Sequence, residues 1–234
     1  MAIGVISTFY LNLKRIMKKL VIFDLDGTLL NTISDLGNSC NYALRKMGFA
    51  EHPLGAYNFM VGNGVRKLME RAQPDADEDT INTLLGYFRE HYDAHCTDTT
   101  KPYPGIPELL NELKEKGVSF AVATNKYESA ARKIISHFFP DMPFVAVMGQ
   151  IEERPPKPDP SIDFAILNEH PTPKSEVLHV GDSAVDIETA RRACVESIGV
   201  TWGFRPVSEL RRAYADHVVS KPEEIIKYVM QETF

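Results

Sequence analysis

Cysteine is scarce. The 234-residue chain has three, Cys40, Cys96 and Cys194, far apart and without a C-x-x-C pair, which excludes a disulfide framework and a zinc knuckle and points to a reducing, cytoplasmic setting. Long apolar runs are missing too. The stretch Ile3 to Leu13 is too short to span a bilayer. Its basic neighbours Lys14, Arg15, Lys18 and Lys19 come after it, the reverse of a secretory signal, so residues 1–16 read as an extension ahead of a start at Met17. Basic charge is in deficit, 26 Lys and Arg against 32 Asp and Glu for a formal charge of -6. A nucleic-acid partner needs a basic face, so none is expected, and neither is a membrane partner. There is no G-K-[ST] phosphate loop, no complete G-x-G-x-x-G, no H-E-x-x-H and no G-x-S-x-G. These absences remove P-loop, dinucleotide, zinc-peptidase and serine-hydrolase readings. His91 and His95 have the spacing of helical metal ligands, but without the glutamate between them they read as exposed helix residues.

What the chain does contain is an ordinary globular composition, 44% hydrophobic and 25% charged. At about 150 residues per domain the length corresponds to a main domain carrying a smaller one. Short runs rich in Val, Ile and Phe alternate with helical patterns, the signature of βαβ units and a parallel sheet covered on both faces. The predicted strands are Leu20 to Asp24, Val118 to Thr124, Phe144 to Met148, Val177 to Val180 and Ser197 to Val200, with a short edge strand near His217 to Val219. From Ser34 to Thr100 the rhythm breaks. Leu36, Cys40, Ala43, Leu44 and Met47 form one helical stripe, Val65, Leu68, Met69 and Ala72 a second, and Ile81, Leu84, Leu85, Phe88 and Tyr92 a third. The block reads as an inserted helical bundle, with Lys101-Pro102-Tyr103-Pro104-Gly105 as the return hinge. The expected division is an extension over 1–16, a core over 17–33 and 101–234, and a helical insert over 34–100.

The chemistry collects at strand ends. The first strand runs into Asp24-Leu25-Asp26-Gly27-Thr28, the second into Ala123-Thr124-Asn125, and the fourth into Gly181-Asp182-Ser183-Ala184-Val185-Asp186. Lys157 is restrained between Pro156 and Pro158. An open parallel sheet binds ligands outside the carboxyl ends of its strands, so four acids, a hydroxyl and a lysine converge there. Crowded carboxylates need a proton or a cation, and oxygen-only ligands favour a hard ion, Mg2+ above all because it pairs with phosphate. Phosphoryl transfer fits that set. Mg2+ and a fixed lysine stabilise the spreading negative charge, one aspartate can act as nucleophile, and a second can move the proton.

These segments, in this order, resemble the haloacid dehalogenase superfamily of phosphohydrolases from Lys18 to Met230, most specifically in Asp24-Leu25-Asp26-Gly27-Thr28-Leu29. The resemblance implies an α/β fold, a Rossmann-like parallel-sheet core with an inserted α-helical cap. It implies Asp24 as nucleophile and Asp26 as general acid and base. It also implies Thr124 and Lys157 on the phosphoryl group, with the amide of Asn125 a further phosphate-binding candidate. Mg2+ would be held by Asp24, the Asp26 carbonyl and Asp182, with Asp186 in support. Val61-Gly62-Asn63-Gly64-Val65 looks like the cap loop of phosphoglycolate phosphatases, which makes Asn63, Gly64 and Arg66 the candidates for contact with substrate. Asn31 and Cys194 depart from the pattern, standing where the family often has aspartate and many members have glycine.

The expected function is therefore Mg2+-dependent hydrolysis of a small soluble phosphomonoester, phosphoglycolate-like compounds favoured, through an aspartyl-phosphate. Two alternatives stay open. One is a phosphomutase similar to β-phosphoglucomutase, the other a non-enzymatic phospho-acceptor resembling a receiver domain, against which Asp26 and the cap both argue. A monomer and a homodimer are equally compatible with the sequence.

Overall fold

A computed structural model describes residues 17–230 of the chain, so the expected extension over 1–16 lies outside the described residues. Six parallel strands form the central sheet: β1 (Leu20–Phe23), β4 (Ser119–Tyr127), β5 (Ala146–Gln150), β6 (Val177–Gly181), β7 (Glu196–Val200) and β8 (His217–Val219). Their order is β5-β4-β1-β6-β7-β8. β1 is central, and successive strands are added first on one side of it and then on the other, so a topological switch point lies at the carboxyl end of β1. All six strands expected from the sequence are present.

The period-two alternation of a strand divides the core between two faces. Val21, Phe23, Phe120, Val122, Leu178, Val180, Ile198 and Val200 point to one side. There they meet α4 (Ile106–Glu115), α5 (Glu128–Phe138) and α9 (Ile225–Met230). Leu20, Ile22, Ala121, Ala123 and Val177 point to the other, against Ile162 and Ile166 of α6 (Ser161–Glu169) and Ala190 and Ala193 of α7 (Ala184–Ala193). A short α8 (Val207–Arg212) precedes the edge strand. Among the described residues, no helix is long and apolar enough to cross a membrane.

The chain leaves the sheet through β2 (Leu30–Asn31) and returns through β3 (Lys101–Pro102), and these two short strands pair antiparallel, Asn31 against Lys101. Between them stand α1 (Ile33–Lys46), α2 (Val65–Ala72) and α3 (Glu78–His95). The three apolar stripes of the sequence pack on one another, with Leu44, Leu84, Phe88 and Tyr92 wholly buried. Asp35 at the start of α1 closes the insert: it accepts hydrogen bonds from the backbone N–H and hydroxyl of both Thr99 and Thr100. α3 is capped by Asp77, whose side chain accepts from Thr80 N at 2.9 Å.

One departure from the family pattern has a structural cost. Cys194 terminates α7 in the left-handed region, with φ 58° and ψ 43°, a conformation that crowds any Cβ. Replacing it with glycine, C194G, is expected to raise unfolding stability by about 0.5–1 kcal/mol, the relieved strain exceeding the added freedom of the unfolded chain. Urea denaturation checks this, and an unchanged or lowered midpoint would refute it. Asn31, the other departure, lies exposed in β2 with its side chain accepting weakly from Ile33 N at 3.4 Å.

Candidate active site

β1 ends at Phe23 and delivers Asp24, whose backbone N–H still bonds Val180 O at 2.8 Å, so the carboxylate is fixed by the sheet itself. The chain then turns at Gly27, φ 90°, which also brings it against the β6 loop: a Cβ there would overlap the carboxylate of Asp182. Gly203 packs as closely against Asp182, and Phe204 N donates to Asp182 Oδ2 at 2.6 Å. Two glycines and one backbone amide thus set where this acid points. Asp186 is fixed by a capping box at the start of α7, its Oδ2 accepting from Ser183 N at 3.1 Å and Ser183 Oγ at 2.7 Å.

Lys157 ties the acids together. Its buried Nζ donates to Asp24 Oδ1 at 2.8 Å, to Asp186 Oδ1 at 2.6 Å and to Ala123 O at 2.7 Å, which uses all three of its protons. Burial raises the Asp24 carboxyl to about 6 against the opposing pull of Lys157. Asp182, buried and facing Asp186 and Asp24, is pushed well above the usual carboxylate range. Burial would raise Asp186 as well, but Lys157, His179 and the Ser183 hydroxyl together outweigh it and hold that acid below its ordinary value. Carboxylate oxygens of Asp24, Asp182 and Asp186 lie within 4.8 Å of one another. One ammonium against three buried acids leaves negative charge unmet, and the donors are all oxygen, so the set fits a hard divalent cation such as Mg2+.

Asp26 sits two residues on and faces the same cavity. Thr32 Oγ1 donates to its Oδ1 at 2.7 Å, and Lys126 Nζ lies 3.1 Å from its Oδ2. The buried hydroxyl of Thr124 lines the cavity and accepts from Lys126 N at 3.2 Å. The cavity is about 50 Å³, room for a few water-sized groups. Leu36, Val61, Gly62, Gly64, Val65 and Leu68 of the helical insert form its other wall.

Several expected contacts are placed differently. Asn125 lines the cavity, yet its amide is committed elsewhere: Nδ2 donates to Gly62 O and Lys157 O, both at 3.0 Å, and Oδ1 accepts from Lys157 N at 2.7 Å. With both side-chain amide protons used, the side chain braces two loops. Arg66 does not reach the cavity. It sits on the outer side of α2, bonded to Glu78 at 3.0 Å and to Asn82 at 2.5 Å, because α3 runs beside it. Asn63 likewise turns away, its Oδ1 accepting from Arg71 at 2.7 Å. Of the three cap candidates only Gly64 lines the cavity. His91 and His95 stack with ring centroids 4.3 Å apart and bond Ser39 and Asp98, which is an ordinary helix-surface arrangement.

Two cations were not singled out in the sequence. Lys126, 5% exposed, bonds Tyr92 OH of α3 at 2.8 Å as well as contacting Asp26. It follows Thr124 and Asn125 where the β4 register breaks, and all three residues line the cavity. Arg205, after Phe204, also lines the cavity. It lies in a loop with no periodicity and left no signal.

The family profile described as haloacid dehalogenase-like hydrolase matches residues 21–200. The chain is 32% identical over 212 residues to a phosphoglycolate phosphatase of Aquifex aeolicus, spanning 89% of this chain and 95% of that one. It is 36% identical over 201 residues to a phosphoglycolate phosphatase of Cereibacter sphaeroides, spanning 81% and 89%. A crystal structure from Lactobacillus delbrueckii superposes with a TM-score of 0.87 at 29% identity, covering 92% of this chain and all of the other.

Proposed function

Because the chain belongs to the haloacid dehalogenase-like hydrolase family and is a phosphatase of that kind, we propose that it hydrolyses a small phosphorylated metabolite, phosphoglycolate or a close analogue, through an aspartyl-phosphate on Asp24 with Mg2+ as cofactor. The observation that carries this is the convergence of Asp24, Asp26, Asp182, Asp186, Thr124 and Lys157 on one cavity at the switch point of the sheet. In this reading residues 34–100 form the cap, and 17–33 with 101–234 form the core.

Asp24 is the nucleophile, fixed in direction by the sheet and by Lys157. Thr124 offers its hydroxyl to a phosphoryl oxygen, and Lys157, its three protons taken by Asp24, Asp186 and Ala123 O, stabilises the phosphoryl group through its charge. Asp26, anchored by Thr32 and Lys126, gives its proton to the leaving oxygen and takes one from the water that then opens the acyl phosphate. Asp24, Asp182 and the Asp26 carbonyl would hold Mg2+, with Asp186 supporting. When bound, the ion neutralises charge on the phosphoryl group. Asn125, through the backbone of Lys157 and Gly62, positions the lysine and the cap loop rather than touching phosphate. The wall of insert residues narrows the approach to the cavity and disfavours polymeric substrates. Cys40 and Cys96 are buried free thiols and Cys194 an exposed one, in keeping with a reducing cytoplasm.

A panel of phosphate esters tests the substrate class. The largest kcat/KM is expected for 2-phosphoglycolate, with activity lost on chelation by EDTA and restored by Mg2+. Full turnover in excess EDTA would refute the metal requirement, and a sugar phosphate returned as its isomer would favour the mutase reading.

A further inference from the structure

Three cations reach the cavity, and two are matched by acids. Lys157 is held by Asp24 and Asp186, and Lys126 by Asp26. Arg205 is not matched in this way. Its Nη2 donates to Val61 O at 2.9 Å and its guanidinium lies 5.6 Å from the centre of the Phe59 ring. The nearest carboxylate, Glu209 Oε1, is 3.9 Å from Nε and accepts instead from Ala184 N at 3.0 Å. A guanidinium carries five N–H groups, so among the described residues most of its donors have no protein partner at the cavity wall. A second arginine accentuates the imbalance. Arg71 holds the same loop through Met60 O and Asn63, and among the described residues it has no carboxylate within 4.0 Å. Burial and the charge of Arg205 together hold the Arg71 guanidinium below its ordinary pKa. Unmatched positive charge therefore gathers on both sides of residues 60–63, beside a cavity whose floor is acidic.

We infer that Arg205 is a specificity-determining residue, which binds the carboxylate of an anionic leaving group while Lys157 and Thr124 hold the phosphoryl group at the other end. The inference rests on the reading that the substrate is a phosphorylated hydroxy acid. The planar guanidinium fork matches a carboxylate in a way an ammonium does not. Its bond to Val61 O also makes recognition depend on the cap: the fork is held in place by the loop that closes the cavity. A core residue thereby reads the substrate and the seated cap at once.

The alternative is that Arg205 only seats the cap, and a ratio separates the two. 2-Phosphoglycolate and 2-hydroxyethyl phosphate differ in a carboxylate against an alcohol. The wild-type protein is expected to prefer the carboxylated ester, and R205Q to reduce that preference, measured as the ratio of kcat/KM values, by about 10- to 100-fold, the scale of a charge-assisted hydrogen bond. Absolute rates fall for both esters, because the contact to Val61 is lost as well. R205K keeps the charge without the fork and recovers part of the ratio. Equal losses for both esters, leaving the ratio unchanged, would overturn this inference alone. A wild-type protein with no preference for the carboxylated ester would overturn both it and the substrate reading above.

Discussion

Asp24→Asn lowers kcat for every phosphate ester by about 10⁴-fold or more, the scale on which loss of a covalent nucleophile is felt, which corresponds to about 5.5 kcal/mol of transition-state stabilisation. The substitution keeps shape and removes the attacking oxygen charge. The fold is expected to tolerate it, because Lys157 stays bonded to Asp186 at 2.6 Å and to Ala123 O at 2.7 Å, and because one of three crowded acids is neutralised. Thermal denaturation supplies the control: a melting point within a few degrees of wild type, alongside the lost turnover, assigns the effect to chemistry. A variant that kept a tenth of wild-type activity would exclude Asp24 as nucleophile.

Asp26→Asn carries the second large effect, and its size depends on the leaving group. For an alkyl ester such as phosphoglycolate both half-reactions lose their proton carrier, and kcat falls by about 10²- to 10⁴-fold. An aryl phosphate departs without protonation, so its first step is spared while the hydrolysis of the acyl phosphate is not. The two substrates therefore differ in what limits them: the alkyl ester stalls before phosphoryl transfer, the aryl ester after it, with a burst of phenol on mixing. The replacement amide fits the same position with its oxygen facing Lys126 and its NH2 donating to the Thr32 hydroxyl, which can also accept. Equal losses for both classes of ester, with no burst, would mean that Asp26 acts in binding and moves no proton.

How far the molecule was legible in its sequence follows from what each signal encodes. Strand β1 and its two acids could be read because burial on both faces forces a continuous apolar run, and the switch from Phe23 to Asp24 marks its end. The helical insert was equally plain from three stripes of period 3.6. The site was legible wherever a functional side chain stands at a strand end, since the sheet alone decides that Asp24, Thr124 and Asp182 share an edge. It was not legible where the facing of a side chain depends on a neighbour distant in sequence. Arg66 turns outward because α3 offers Glu78 and Asn82. The Asn125 side chain is committed to two loops, because Gly62 O and Lys157 O both close on its amide. Arg205 enters the cavity from a loop whose path is set by Asp182 and Val61, 22 and 144 positions away. Lys126 reaches the cavity because the β4 register breaks between Ala123 and Tyr127, which strand alternation in the sequence does not show.

The covalent intermediate is the claim on which the other roles depend, and the Asp26→Asn protein makes it observable. Mixing that variant with an aryl phosphate and Mg2+, quenching in acid and analysing peptides by mass spectrometry is expected to show one added phosphoryl group on the peptide that contains Asp24, near one per chain and absent in Asp24→Asn/Asp26→Asn. An unmodified Asp24 peptide, or a phosphoryl group found on another residue, would contradict the account.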